Sequence, residues 1–321
     1  MKVLITGAFG NLGMSTIRAL VNTNHQITCF DLPTKRNKKI FRELSKKYKI
    51  SVIWGNVLDK TSIFLAIKNQ DCIIHLVAIT PPLTEKLPDY AHKINVQGTK
   101  NLIEVLKKQN VSPRIIYVSS VTVYGPRHPN SSVLTVNTPV NPSDVYSKTK
   151  IEVEDILENC GLPWVILRLT AVPDLKLKGN IKLEAIYSIP IKQKIEFLHT
   201  YDAGTAIANS VDTTLVNKIF LIGGGKSNQF TNREFLGRYF KKLGLGKLPL
   251  GIFKVPSSEN DWYYTHWMDT KESQSILDYQ NHSYEDFLEE FSKNFGFLRY
   301  FMIVLRPLIK LIIKKKSPYR N

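Results

Sequence analysis

Tyr146 and Lys150 stand four residues apart in Tyr-Ser-Lys-Thr-Lys, and Ser120 lies upstream in Val-Ser-Ser-Val-Thr-Val-Tyr-Gly. On a helix, positions i and i+4 share a face, so the Lys150 ammonium can sit beside the Tyr146 phenol. A free tyrosine titrates near pH ~10 and is a poor base at neutral pH. A neighbouring cation favours the phenolate, so Lys150 is expected to bring that pKa down toward the working range. The Ser120 hydroxyl can hold a substrate oxygen during the exchange. Such a set moves a proton on or off a carbinol while a hydride leaves or reaches its carbon. Tyr-x-x-x-Lys alone is common on exposed helices, so this reading needs a hydride carrier close by.

The N-terminus has the pattern of one. Lys2-Val-Leu-Ile-Thr6 is a short apolar, β-branched run that fits a buried parallel strand. Gly7-Ala-Phe9-Gly10-Asn11-Leu12-Gly13 follows at once, and a periodic segment from Met14 to Val21 reads as a helix. Strand, glycine turn and helix aim helix N-terminal amides at a pyrophosphate. The glycines let the backbone turn tightly and approach phosphates without a Cβ in the way. The spacing is G-x-x-G-x-x-G rather than G-x-G-x-x-G. A second strand, Gln26 to Phe30, ends in Asp31. A carboxylate there can accept hydrogen bonds from ribose hydroxyls and repel a 2′-phosphate, which favours NAD over NADP. Lys35 and Arg36 close by are the features that would favour NADP.

Three further strands are expected in Ser51–Gly55, Asp71–Ala78 and Arg114–Ser120, with helices over Thr61–Asn69 and Ile94–Lys108 between them. Alternating strands and helices predict an α/β fold with a doubly wound parallel Rossmann sheet. Right-handed crossovers put the strand C-terminal ends, hence Gly7, Asp31, Ala78 and Ser120, along one edge. Residues 1–170 are read as the dinucleotide-binding domain. Residues 171–296 are read as a small C-terminal α/β substrate lobe, interleaved with the core, and 297–321 as a basic amphipathic helical tail.

The chain resembles the extended short-chain dehydrogenase/reductase family, the NAD-dependent epimerase/dehydratase group. The matching pieces are the Gly7/Gly10/Gly13 turn, Asp31, the Asn56-Val57-Leu58-Asp59 turn, His75-Leu76-Val77-Ala78, Asn95-Val-Gln-Gly-Thr99, Ser119-Ser120-x-x-Val-Tyr-Gly125 and Tyr146-x-x-x-Lys150. The resemblance implies that Tyr146 is the acid/base, that Lys150 tunes it and holds the nicotinamide ribose, and that Ser120 orients the reacting oxygen. It also places Phe9, Asn11, Leu12, Asn56, Val57, Leu76, Val77 and Ala78 along the cofactor. Asn56 stands where the family often has Asp near the adenine. Asn95 matches a position that supports the catalytic helix, and Asp202 one that ties the two lobes together. Thr80, Thr122, Arg168 and Ala171 fall at substrate positions, with Arg168 after a strand. Ala171 replaces an Asn that sugar-nucleotide epimerases use to bond substrate, and few residues separate Arg168 from Asp202. Both features weaken the case for a large nucleotide sugar and leave a related or lipid-linked substrate in view. Trp262-Tyr-Tyr-Thr-His-Trp267 reads as lobe packing or as a platform for substrate.

The implied activity is epimerase, dehydratase or dehydrogenase chemistry on a small molecule. The alternatives are a net ketoreductase on an apolar substrate and a dinucleotide-binding scaffold without turnover, which would not need the full Ser120/Tyr146/Lys150 set. At 43% hydrophobic and 22% charged the chain has a globular composition. Three scattered cysteines, no paired histidine pattern and no signal-peptide h-region predict a cytoplasmic protein without a metal. Net charge is +17 and concentrates in residues 35–49 and 297–321. No nucleic-acid-binding motif accompanies it, so nucleic acid is not an expected partner. In the tail, Arg299, Arg306, Lys310 and Lys314 fall within roughly an 80° arc at helical spacing. The longest uncharged run there is far short of the ~20 residues a bilayer span needs, and Pro307 kinks the helix or starts a second one. The tail therefore reads either as a peripheral anchor on an anionic membrane face or as a helix packed on the lobe or on a homodimer partner.

Overall fold

The protein, seen as a computed structural model, is described over residues 1–109, 112–175, 183–293 and 298–320. The strands are β1 (Lys2–Thr6), β2 (Gln26–Asp31), β3 (Ile50–Trp54), β4 (Cys72–His75), β5 (Arg114–Ser120), β6 (Trp164–Leu169), β7 (Lys194–Glu196), β8 (Lys218–Ile222) and β9 (Gln229–Thr231). Seven of them form one sheet in the order β3-β2-β1-β4-β5-β6-β8, and every pairing in it is parallel. Strands buried on both faces must be apolar throughout. Val3, Leu4 and Ile5 of β1, Ile73 and Ile74 of β4 and Val165 to Leu167 of β6 are fully buried, which is why these runs do not alternate.

On one face, helices Asn11–Leu20 and Thr200–Asn209 bury Ile17, Leu20, Ala203, Ala206 and Ile207 against the sheet. A Cβ on Gly204 would lie 2.4 Å from Ser15 Oγ, so these two helices approach as closely as they do because position 204 has none. The Ser15 hydroxyl donates to Thr200 O across the same contact. On the other face, helices Lys60–Ile67, Gly98–Lys107 and Val145–Glu158 bury Ile63, Ile67, Leu102, Leu106, Val153 and Leu157. Each such side chain contributes about 1.5–3 kcal/mol on burial.

The helix expected over Ile94–Lys108 is not uniform. Its first turn, Lys93–Gln97, is wound as a π-helix, and α-helix begins only at Gly98. The wide turn carries Asn95, whose side chain bonds the backbone of Ile79. The strand expected to run to Ala78 stops at His75, which leaves Leu76 to Ala78 as loop at the sheet edge. Arg168 lies inside β6 rather than after it.

Beyond residue 170 the chain both joins and leaves the sheet: β8 completes it, while β7 and β9 pair antiparallel apart from it. Helices Asn232–Lys242 and Tyr284–Lys293 pack near that ribbon over a core of Phe197, Phe230, Leu243, Tyr284 and Phe287. The tail forms two helices, Leu298–Val304 and Arg306–Lys316, with Pro307 in the first turn of the second. Proline is tolerated there because that N–H has no intrahelical partner. Ile313 is buried, the Tyr187 hydroxyl donates to its carbonyl at 2.6 Å, and the Ser317 hydroxyl donates to Ile252 O at 2.6 Å. No helix among the described residues is long and apolar enough to cross a membrane.

Candidate active site

The sheet reverses its strand order between β1 and β4, and the crevice outside the carboxyl ends at such a point is where α/β sheets bind ligands. Gly7 closes β1 at φ +69°, a conformation that favours glycine, and an added Cβ would meet Val77 N at 3.1 Å. A Cβ on Gly13 would lie 2.5 Å from Ala8 O. The helix that follows is capped by Gly10 with no side-chain cap, so its first amides remain available. Leu12 sits in this first turn, and the Asn11 amide donates to Thr200 Oγ1 at 3.1 Å.

Asp31 faces the same turn. Its carboxylate accepts from Phe9 N at 2.9 Å, Leu32 N at 2.8 Å and Asn37 Nδ2 at 3.1 Å. Burial lifts its pKa above the usual carboxylate range, while those amides and Arg36 pull it back. The Phe9 ring is fully buried against Trp54 and Phe41, so Phe9 offers the crevice its backbone and not its side chain. Arg36 donates to Phe9 O and to Asn37 Oδ1. Asn56 Oδ1 accepts from Leu58 N at 3.0 Å, so a turn already uses one lone pair of the atom expected to meet adenine. A cavity of about 280 Å³ joins Gly7, Asp31, Asn56, Val57, Leu76 and Ala78. The glycine cradle, the free helix amides and the half-buried Asp31 carboxylate fit a dinucleotide.

Ser120, Tyr146 and Lys150 lie on β5 and on helix Val145–Glu158, and they do not line that cavity. Asn95 connects the two regions. It grips both backbone groups of Ile79 and donates to Thr149 Oγ1 at 3.1 Å, next to Lys150. His75 adds a second link, with Thr6 Oγ1 2.8 Å from Nδ1 and Thr99 Oγ1 3.0 Å from Nε2. Burial, and then the Lys150 charge, push its pKa down to about 3, so this imidazole is neutral and structural. Thr6 and Thr149 were given no role by sequence, and Thr99 stood only as the end of the Asn95–Thr99 match. Their partners lie far away in the chain, so no local pattern marks them.

Asp144 caps helix Val145–Glu158, its carboxylate accepting from Ser147 N at 2.7 Å. Lys150 Nζ donates to Val118 O at 2.7 Å and lies 5.4 Å from the Tyr146 ring centre and 4.7 Å from that of Tyr117. The lysine thus pins the helix to β5 two residues before Ser120. Ser120 Oγ accepts from Thr122 N at 3.2 Å and from Thr122 Oγ1 at 3.0 Å, which leaves its own proton to donate. Thr80 is exposed on the loop after β4.

The electrostatics correct one expectation. Despite the neighbouring Lys150, the Tyr146 pKa does not come down toward the working range. Burial pushes the phenol above its ordinary value, and the Asp144 charge adds to that. Burial also pulls Lys150 down to about 7 despite the opposing Glu154 carboxylate.

Arg168 requires a second correction. It is 5% exposed, and its guanidinium bonds both Glu154 carboxylate oxygens and, at 2.8 Å, the Tyr124 hydroxyl. It anchors the catalytic helix to β6 and is a structural residue rather than a substrate ligand. Ala171 is exposed beside β6, bridged to Phe197. Asp202 accepts from Asn281 N, His282 N and the His282 ring, so it ties helix Thr200–Asn209 to the segment before Tyr284. In the aromatic segment Thr265 and His266 are buried, and Trp267 donates to Phe230 O. Tyr263 and Tyr264 stack with ring centres 4.1 Å apart, and both feel the Asp144 charge.

Residues 3–173 match the model of the NAD dependent epimerase/dehydratase family, which is more than half of the chain. The chain belongs to that family. It is 26% identical over 188 residues to the UDP-glucose 4-epimerase of Lactobacillus helveticus, covering 56% of this chain and 54% of that enzyme. The chain spans about half the length of such curated relatives. Among solved structures it resembles the UDP-glucuronic acid 4-epimerase of Bacillus cereus, crystallised with UDP-glucuronic acid and NAD. That match has a TM-score of 0.75 at 20% identity and covers 93% of this chain and 100% of the other. The dTDP-glucose 4,6-dehydratase of Streptomyces venezuelae, also with NAD bound, matches with a TM-score of 0.77 at 20% identity over 94% and 98% of the two chains. At that identity the likeness shows the fold.

Proposed function

We propose that this family member is an NAD-dependent enzyme of the sugar-nucleotide 4-epimerase or 4,6-dehydratase type, acting at a secondary carbinol. The observation that carries the reading is the fixing of Lys150 to Val118 O, which sets the Tyr146 helix against the end of β5 where Ser120 stands. Similarity to the Lactobacillus helveticus epimerase supports the substrate class. Bound NAD supplies a hydride acceptor and, when oxidised, a positive ring.

Tyr146, as phenolate, takes the proton of the substrate hydroxyl, and the carbinol hydrogen leaves as hydride, so the C–OH becomes C=O. Ser120, whose oxygen is already satisfied by Thr122, donates its proton to the reacting oxygen and holds it in place. Lys150 supplies the countercharge for the phenolate. Reversal returns hydride and proton, and delivery to the opposite face inverts the carbon. Asp31 binds the adenosine ribose. Asn95 and Arg168 hold the catalytic helix.

The test is Tyr146→Phe. The variant should bind NAD within about twofold of the parent and lose at least ~10³-fold in turnover on a UDP- or dTDP-hexose. Retained turnover would remove Tyr146 from the mechanism. One specific observation favours a second reading. Ala171 offers no polar side chain, and stacked Tyr263 and Tyr264 stand near Asp144, which suits a less polar substrate and net ketone reduction. Absorbance at 340 nm separates the two: a net reductase consumes NADH in proportion to product, and an epimerase does not.

A further inference from the structure

The tail helices dock with the less expected side outward. Ile313, Met302 and Ile309 pack against Phe240, Leu245, Ile252 and Phe253 of the lobe. Lys310, part of the predicted basic stripe, lies on the docked side and is partly covered, and burial together with Arg306 lowers its pKa. Phe297 and the Arg299 side chain lie outside the described residues. The apolar residues that face solvent form a nearly continuous row. Phe301 is 64% exposed, Val304 76%, Leu305 47%, Leu308 53%, Leu311 49% and Ile312 43%. Single exposed apolar residues are ordinary, but a row of this kind marks an interaction surface.

We infer that this row is a docking face whose occupant is the surface of an anionic lipid bilayer. Charge decides between a bilayer and a second copy of the chain. Residues 297–321 carry seven Lys or Arg and no Asp or Glu. Lys314, Lys315 and Lys316 end the second helix, all exposed, beside the apolar row. Two copies meeting on this face would bring those cations together, whereas an anionic headgroup layer neutralises them while the acyl boundary takes up the leucines. The helix is already formed and fixed by the Tyr187–Ile313 and Ser317–Ile252 bonds, so binding requires little further ordering. The inference goes beyond the proposed activity and stands or falls apart from it.

The experiment uses the full chain, sedimented with vesicles of phosphatidylcholine alone or mixed equally with phosphatidylglycerol. The protein should bind only the mixed vesicles and be released by high salt. Leu308→Glu/Leu311→Glu should weaken binding at least ~10-fold. Lys314→Gln/Lys315→Gln/Lys316→Gln should weaken it about as much and flatten the salt dependence. All of these side chains are exposed, and unchanged thermal melts will show that the fold is kept. Equal binding to both vesicle types, or full binding by the leucine variant, overturns the proposal. So does a protein that ignores vesicles, whether ultracentrifugation finds it monomeric or finds a dimer that the leucine variant dissolves.

Discussion

Replacing Lys150 with Met tests the electrostatic reading of the site through stability alone. Lys150 is 4% exposed, and burial takes its amine from 10.5 to about 7. In the unfolded chain a lysine keeps its proton up to pH ~10.4. Between these values the unfolded state binds more protons than the folded one, so stability rises with pH across that window. Below pH ~7 both states are protonated and the full cost of burying the charge applies. A gap of about 3.5 units corresponds to ~5 kcal/mol, at ~1.4 kcal/mol per unit. Above pH ~10.5 the cost is gone. Methionine keeps an unbranched stem of similar length and loses the bond to Val118 O, at roughly 1 kcal/mol. Lys150→Met should therefore be more stable than the parent by ~3–4 kcal/mol at pH 6, and less stable by ~1 kcal/mol above pH ~10.5. Urea unfolding followed by circular dichroism at pH 6, 8 and 11 measures both. A variant less stable than the parent at pH 6, or a difference that does not change with pH, would refute the reasoning.

Asp31→Ala should narrow the NAD over NADP affinity ratio at least ~5-fold in calorimetric titrations, because the carboxylate that repels a 2′-phosphate is gone; an unchanged ratio would end the ribose assignment. Arg168→Met should destabilise by ~3–5 kcal/mol, since it leaves Glu154 buried without its partner. The double variant Arg168→Met/Glu154→Leu should recover most of that with substrate KM unchanged, and a large rise in KM in this refolded variant would return Arg168 to the substrate site.

The first five strands of the sheet were legible because most are buried on both faces, and apolar runs such as Ile115–Val118 declare themselves. The glycine turn was legible because close approach leaves no alternative residue at Gly7 and Gly13. The π-turn at Lys93–Gln97 was not, since it arises from a side chain that bonds a loop sixteen residues back. The end of β4 was misplaced for a related reason. Leu76 to Ala78 are as apolar as a strand, but they line the crevice instead of pairing. Arg168 was misread because its partners, Glu154 and Tyr124, become neighbours only once β6 and the catalytic helix pack. The tail shows the limit of periodicity. The basic stripe was visible in the sequence, but which face the lobe covers depends on the pocket around Tyr187 and Ile252.

The same burial that misled the electrostatic expectation explains how the trio can work as a unit. It disfavours a lone phenolate at Tyr146 and a lone ammonium at Lys150. Neither charge is stable by itself, so each becomes favourable when an opposite charge arrives within reach. A phenolate forming at Tyr146 supplies that charge to Lys150, and the ammonium returns it. On the proposed mechanism, proton transfer at Tyr146 is then coupled to the charge state of whatever fills the crevice. Asn95, His75 and the Arg168–Glu154 pair hold this arrangement from three sides: burial keeps His75 neutral, and the bonds to Glu154 outweigh burial to keep Arg168 charged. A loosened scaffold would admit water, stabilise both single charges and remove the coupling. On that mechanism the buried polar residues around the trio would matter to turnover as much as to stability.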